Sequence, residues 1–139
     1  MFSVRRGVLI VLSAWHGLAA FKNLCDLGAS FGIVPAAARW RSHNFAAMEK
    51  LLVPLRLPRP VLGTLLAGAA GVEAAAAIAF ARGDDELAYA LAVGLFGSFA
   101  LIDEAMADYE LDETHREILV FVLVAYLVTR REKPGNSPP

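Results

Sequence analysis

From Val61 to Ala81 the chain runs for 21 residues with one charge, Glu73. A stretch of 18 or more apolar residues is long enough to cross a bilayer as a helix, and only a helix or a closed barrel satisfies its own backbone there. The segment GAAGVEAAAAIAF (Gly68–Phe80) therefore sets the fold class: all-α and built for lipid, with an acid at mid-depth that has to be accounted for. The whole chain agrees, with 57% apolar residues and a mean hydropathy of +0.51 over 139 residues. Soluble domains usually hold about 45–50% apolar residues. Thirteen basic and 14 acidic residues leave a net charge of −1, without the basic block that nucleic-acid binding needs. One cysteine, Cys25, excludes an internal disulfide and a CxxC redox pair. The length suits one domain.

Four apolar segments stand out: Gly7–Phe21, Val61–Ala81, Leu87–Ile102 and Ile118–Val128. They predict a four-helix integral membrane bundle with spans near 5–25, 60–82, 86–106 and 114–130, and a disordered tail over 131–139. The last segment covers only ~17 Å as a helix against a hydrocarbon core of ~30 Å. It crosses if the helix runs from Thr114 to Arg130, with Arg116 and Arg130 reaching outward; three spans plus a buried or tilted helix is the alternative. Arg5-Arg6 before an apolar run resembles a signal peptide, but a retained first span is the better expectation. The turn RGDDE (Arg82–Glu86) makes spans two and three an antiparallel hairpin.

Between spans one and two, residues 36–53 place Trp40, Met48, Leu51 and Leu52, with Leu55 just beyond, near helical spacing among Arg39, His43, Glu49 and Lys50. This is an amphipathic helix, either lying on the membrane surface or packed on the protein's own spans. Pro54, Pro58 and Pro60 end it. The distribution of Lys and Arg near span ends favours a multi-pass cell-membrane protein with both termini cytoplasmic, although the long first loop opposes this.

Counted along ideal helices, His16 lies nine residues into span one and Glu73 eight residues into span two from the same face, at ~13 and ~12 Å. A buried carboxylate needs a proton, a partner or a wet cavity, so the expectation is a Glu73–His16 hydrogen bond serving as an intramembrane acid or proton-relay pair. His16 bonding a nearby carbonyl is the plainer alternative. Toward the other face the count gathers Lys22, Asn23, Cys25, Asp26, Asp103, Glu104, His115, Arg116 and Glu117. In this structural polar cluster Lys22 is expected to pair with Asp103 or Glu104. Asp103, Glu104, Asp108 and His115 lack an ExxH-type spacing, so no metal is expected. Trp15 and Trp40 read as packing or interface aromatics, and Cys25 as a small buried hydrophobe. Gly63, Ala67, Gly71, Ala75 and Ala79 form a four-residue ridge that predicts close helix contact within the bundle, with Gly94 and Gly97 thinning span three similarly.

The stretch LRLPRPVLGTLLAGAAGVEAAAAIAFARG (Leu55–Gly83) resembles the DoxX-like family of small four-helix membrane proteins. A proline-bearing approach, a glycine-thinned second span with an internal Glu, and a glycine turn come in that family's order. Glu73 matches its span-two acid. The resemblance implies membrane redox chemistry with a quinone as the cofactor class, often in a subunit beside a soluble partner. The middle of span one, with Trp15-His16, departs from the pattern. Three functions follow as expectations. First is an accessory or anchoring subunit, with other membrane subunits, a homo-oligomer and the lipid bilayer as partners. An oxidoreductase component using Glu73 and His16 is second, and a small-solute or proton transporter third.

Overall fold

The computed structural model describes residues 3–35, 40–106 and 109–131, with the side chains of 109–112 left aside. The described residues form five α-helices: α1 (Val4–Ser30), α2 (Asn44–Leu51), α3 (Arg59–Arg82), α4 (Asp85–Met106) and α5 (Tyr109–Arg131), with a 3-10 turn at Val53–Leu55. Three of them, α1, α3 and α4, are long and apolar enough to cross a membrane. That makes the chain a helical membrane protein by its architecture. α5 is long but carries charge through its first turns, and is not among the three. The expected tail lies outside the described residues, apart from Arg131.

Local signals set the helix ends. Ser3 caps α1, its Oγ accepting from the Arg6 amide at 3.2 Å. Pro58 and Pro60 open α3, where a missing N–H costs nothing. Gly83 closes α3 in the left-handed region, φ 74°, and its amide and that of Asp84 return to Phe80 and Ala79. Only Gly83 and Asp84 join α3 to α4, so the polar turn read from the sequence is a tight one. Gly83→Ala is expected to cost about 1–2 kcal/mol for the left-handed backbone alone, readable as a lower melting temperature in detergent.

α1 and α3 form the main antiparallel contact, α4 packs on α3, and α5 packs chiefly on α4. The Ser13 hydroxyl donates to the Ala77 carbonyl at 2.9 Å, and a Cβ built on Gly17 would lie 3.8 Å from Ala77 Cβ. Gly17 and Ala77 are therefore level. One core cluster, with Leu9, Leu12, Ala76, Phe80, Tyr89, Ala92, Phe96 and Val122, fills the half of the bundle nearer the N-terminus. A smaller one, Phe45, Leu52, Leu62 and Leu66, lies under α2 at the other end.

Two expectations are corrected. The connecting helix starts at Asn44 rather than near residue 36; residues 36–39 lie outside the described residues. Arg41 and Ser42 are bonded to α1 and His43 sits at φ 64°, so the chain is held out of helix until Asn44. α2 then packs on α1 and α3 through Phe45, with Arg59 paired to Glu49 at 2.8 Å and stacked over the Phe45 ring. The small-residue ridge also does not face the bundle: Ala67, Gly71 and Ala75 are exposed, and only its ends, Gly63 and Ala79, are buried. At 3.6 residues per turn each four-residue step drifts by ~40°, so such a ridge winds off the contact face within two turns. The buried stripe is instead Leu62, Leu66, Ala70, Glu73, Ala76, Ala77 and Phe80. A Cβ on Gly94 or Gly97 would likewise meet nothing within 4 Å.

Candidate functional site

The intramembrane acid has a partner, and it is not His16. Glu73 Oε2 accepts from Asn23 Nδ2 at 2.8 Å, and Asn23 Oδ1 accepts from Asn44 Nδ2 at 2.7 Å. Glu73 and Asn23 are buried, whereas Asn44 is exposed. A two-bond chain thus links the acid of α3, through α1, to the surface at the start of α2.

Why the expected pair fails is geometric. With Gly17 level with Ala77, Glu73 lies level with residue 21 of α1, five residues from His16, or ~7–8 Å along the axis. Helical side chains also lean toward their own N-terminus. In an antiparallel pair the Glu73 and His16 side chains therefore lean apart. His16 meets aromatic rings instead: Phe80 stacked at 5.6 Å between centroids, Trp15 at 5.1 Å and Phe96 at 5.9 Å. Its side chain is 1% exposed, and neither ring nitrogen has a hydrogen-bond partner among the described residues. The carbonyl bond considered as the plainer alternative is therefore also not made.

The polar cluster near the opposite face divides into two. Asp26, fully buried, accepts from Arg41 Nε at 2.9 Å, Ser42 Oγ at 3.4 Å and the Phe45 amide at 2.8 Å. Its charge faces the first turn of α2, where the helix dipole favours an anion. Between α4 and α5, Asp103 bonds His115 Nδ1 and Glu104 pairs with Arg116 at 2.6 Å. The Lys22 pairing with Asp103 or Glu104 is not formed, because both acids are engaged by α5; Lys22 makes no ion pair among the described residues. Cys25 is half-buried and unbridged. Trp15 is a packing aromatic, stacked on Phe96 at 5.7 Å, whereas Trp40 is exposed.

Toward the N-terminal end lie two contacts that sequence reasoning missed. Arg5 grips Asp85 with both Nε and Nη2, at 2.7–3.1 Å, joining the starts of α1 and α4. Tyr89, one turn beyond Asp85, bonds Thr129 Oγ1 at 3.1 Å. Arg5 and Asp85 sit at the same end of adjacent spans, a signal open to the depth count. Nothing in the spacing marks Tyr89 and Thr129. Asn23 is legible as well, two turns from His16 on the same face of α1.

The buried polar groups thus do two chemically different things. Most are consumed in contacts between helices. Glu73 offers a carboxylate that can hold a proton, and His16 two nitrogens that can exchange one. No three His, Cys, Asp or Glu side chains among the described residues gather to hold a metal. Compared with known proteins, the chain matches no family model, no curated protein and no solved structure.

Proposed function

We propose that the chain is a small multi-pass membrane protein that serves as an accessory or anchoring subunit, embedded beside other membrane subunits or further copies of itself. The observation that carries this reading is the uncovered outer face of α3, where Thr64, Ala67, Gly68, Gly71 and Ala75 stand exposed. Only 28–33% of each apolar stretch is buried within the chain. In lipid, apolar area alone does not bring helices together; close packing across small side chains does. A smooth face directed away from the protein's own bundle suits a helix from another chain. The polar interior, largely occupied in holding the helices together, fits a scaffold.

In this reading α5 is a fourth crossing from about Thr114 to Arg130. Ile118, Val122, Ala125 and Thr129 turn toward α4, and Val120, Phe121, Val124 and Leu127 turn outward. The termini are placed in the cytoplasm of a cell-membrane protein, and the chain is a divergent relative of DoxX-like proteins. A buried Glu in the second apolar helix and a glycine turn after it support that kinship.

Gly71→Leu tests the assembly role. Extracted in a mild detergent, the wild type is expected to run in native mass analysis as a complex larger than one chain. The variant is expected to shift to single chains while keeping its helix content. A wild type that is strictly monomeric and partner-free sinks the reading.

A further inference from the structure

Where α1 ends, the chain turns back on itself. The Ile33 and Val34 amides both donate to the Gly28 carbonyl, at 2.7 and 3.2 Å. A Cβ built on Gly63 would lie 2.9 Å from the Phe31 ring, so that ring rests on bare backbone of α3. Beside this contact runs an open groove of about 570 Å³, bounded by Leu24 and Leu27 on α1 and by Pro60, Thr64 and Ala67 on α3. Phe31 and Ile33 add to it from the loop, and no lining residue is charged. Pro60 to Ala67 covers ~10 Å, starting in the first turn of α3. One leaflet of hydrocarbon is ~15 Å deep, half of the ~30 Å core. The groove therefore follows most of one leaflet, from the α2 face inward.

Charge at the surface end of the groove selects its occupant. Arg59 directly precedes Pro60. Its Nε pairs with Glu49 at 2.8 Å and its Nη2 donates to the Ser30 carbonyl at 3.5 Å, which holds the guanidinium where α1 ends and α3 begins. Those bonds use two of its five N–H groups, and the side chain is 59% exposed. Three donors remain. Arg56 lies three residues earlier, at most ~11 Å of chain away. It is exposed and makes no ion pair among the described residues. Two guanidinium groups above an uncharged apolar groove match a phosphate above an acyl chain. A neutral lipid or an apolar helix from another chain would leave both cations unused.

We propose that this groove binds one anionic phospholipid, with an acyl chain against Leu24, Phe31 and Ala67 and the phosphate on Arg59 and Arg56. The lipid is held without covalent change. Its tail covers apolar surface that the protein leaves open, and its phosphate takes up the guanidinium donors that Glu49 and Ser30 do not fill. This goes beyond the assembly reading. Thr64 and Ala67 belong to both surfaces, but Gly71 and Ala75 do not line the groove.

Phosphatidylglycerol with a photoactivatable diazirine in one acyl chain tests it, added sparingly to phosphatidylcholine vesicles that hold the full-length protein. After illumination and digestion, label is expected on Leu24, Phe31 and Ala67 well above the outward-facing Val11 and Val124. Unlabelled phosphatidylglycerol should compete about 25-fold better than phosphatidylcholine. Arg56→Asn and Arg59→Gln should each weaken that competition about 5-fold, the scale of one basic residue near an anionic surface. Asparagine tolerates the left-handed backbone at this position, φ 51°, so Arg56→Asn removes the charge and keeps the turn. Leu24→Trp, on α1 and off the outer face of α3, is expected to fill the groove and abolish its label. Label spread evenly over outward-facing residues, or equal competition by the two lipids, overturns the proposal. Gly71→Leu chains are expected to keep the label; label that appears only in them would put a partner helix in the groove and overturn it too. Wild-type label reads the groove even if the protein runs as a monomer, so the two readings fail separately.

Discussion

Asp26→Ala is expected to lower the unfolding free energy in detergent by about 3–5 kcal/mol, the range for removing one partner of a buried ion pair. The fully buried carboxylate holds three groups at once: the Arg41 guanidinium, the Ser42 hydroxyl and the backbone amide of Phe45. Without it the largely buried Arg41 loses this ion pair, and the first turn of α2 loses an anionic acceptor. Phe45, which closes the core beneath α2, should loosen in consequence. Asp26→Asn keeps the shape and part of the hydrogen bonding, so a smaller loss is expected. Thermal unfolding and protease sensitivity around residues 40–45 measure both. Equal stability of wild type and Asp26→Ala would mean that α2 is held by its remaining contacts, the apolar packing of Phe45 and the Asn44–Asn23 and Glu49–Arg59 pairs.

Phe80→Ala comes next, at about 3 kcal/mol. In a water-soluble core such a change costs about 3–5 kcal/mol, combining lost transfer energy with a cavity. Here the low end applies, because helices separated in lipid keep an apolar ring in apolar surroundings and lose chiefly its packing. Phe80 sits between two other rings, stacked on His16 at 5.6 Å and edge-on to Tyr89 at 5.0 Å. Its removal should therefore also shift the His16 and Tyr89 resonances, whereas Phe80→Leu should recover most of the stability. Unchanged resonances in Phe80→Ala would show that the ring does not position them.

How much of this was open to reading follows from what each signal measures. Hydropathy marks α1, α3 and α4 because a span must be apolar over its full length, whichever way it faces. Facing is harder. The ridge of Gly63, Ala67 and Gly71 has the right spacing for contact, but spacing alone cannot say whether the contacting helix belongs to this chain. Depth was legible to within about two turns, sufficient to place Asp103 with His115 or Arg5 with Asp85 at one end. It was too coarse to choose between Asn23 and His16 as the partner of Glu73. That choice rests on register, fixed by Ser13 and Gly17 against Ala77, and on the direction in which side chains lean. The short α2 was obscured for another reason: Arg41 and Ser42 fit a helical pattern, yet their bonds to Asp26 hold them outside the helix.

The bond between Asn23 and Glu73 has a consequence for how the protein is made. A ribosome delivers α1 before α3, so the amide donor is already in the bilayer when the acid follows it. The two-residue joint at Gly83–Asp84 lets α3 and α4 enter together as a hairpin, and Asp85 then finds Arg5 at the face where α1 began. Translation order thus keeps Glu73 from crossing lipid alone, and a circularly permuted gene that synthesised α3 first would remove that protection.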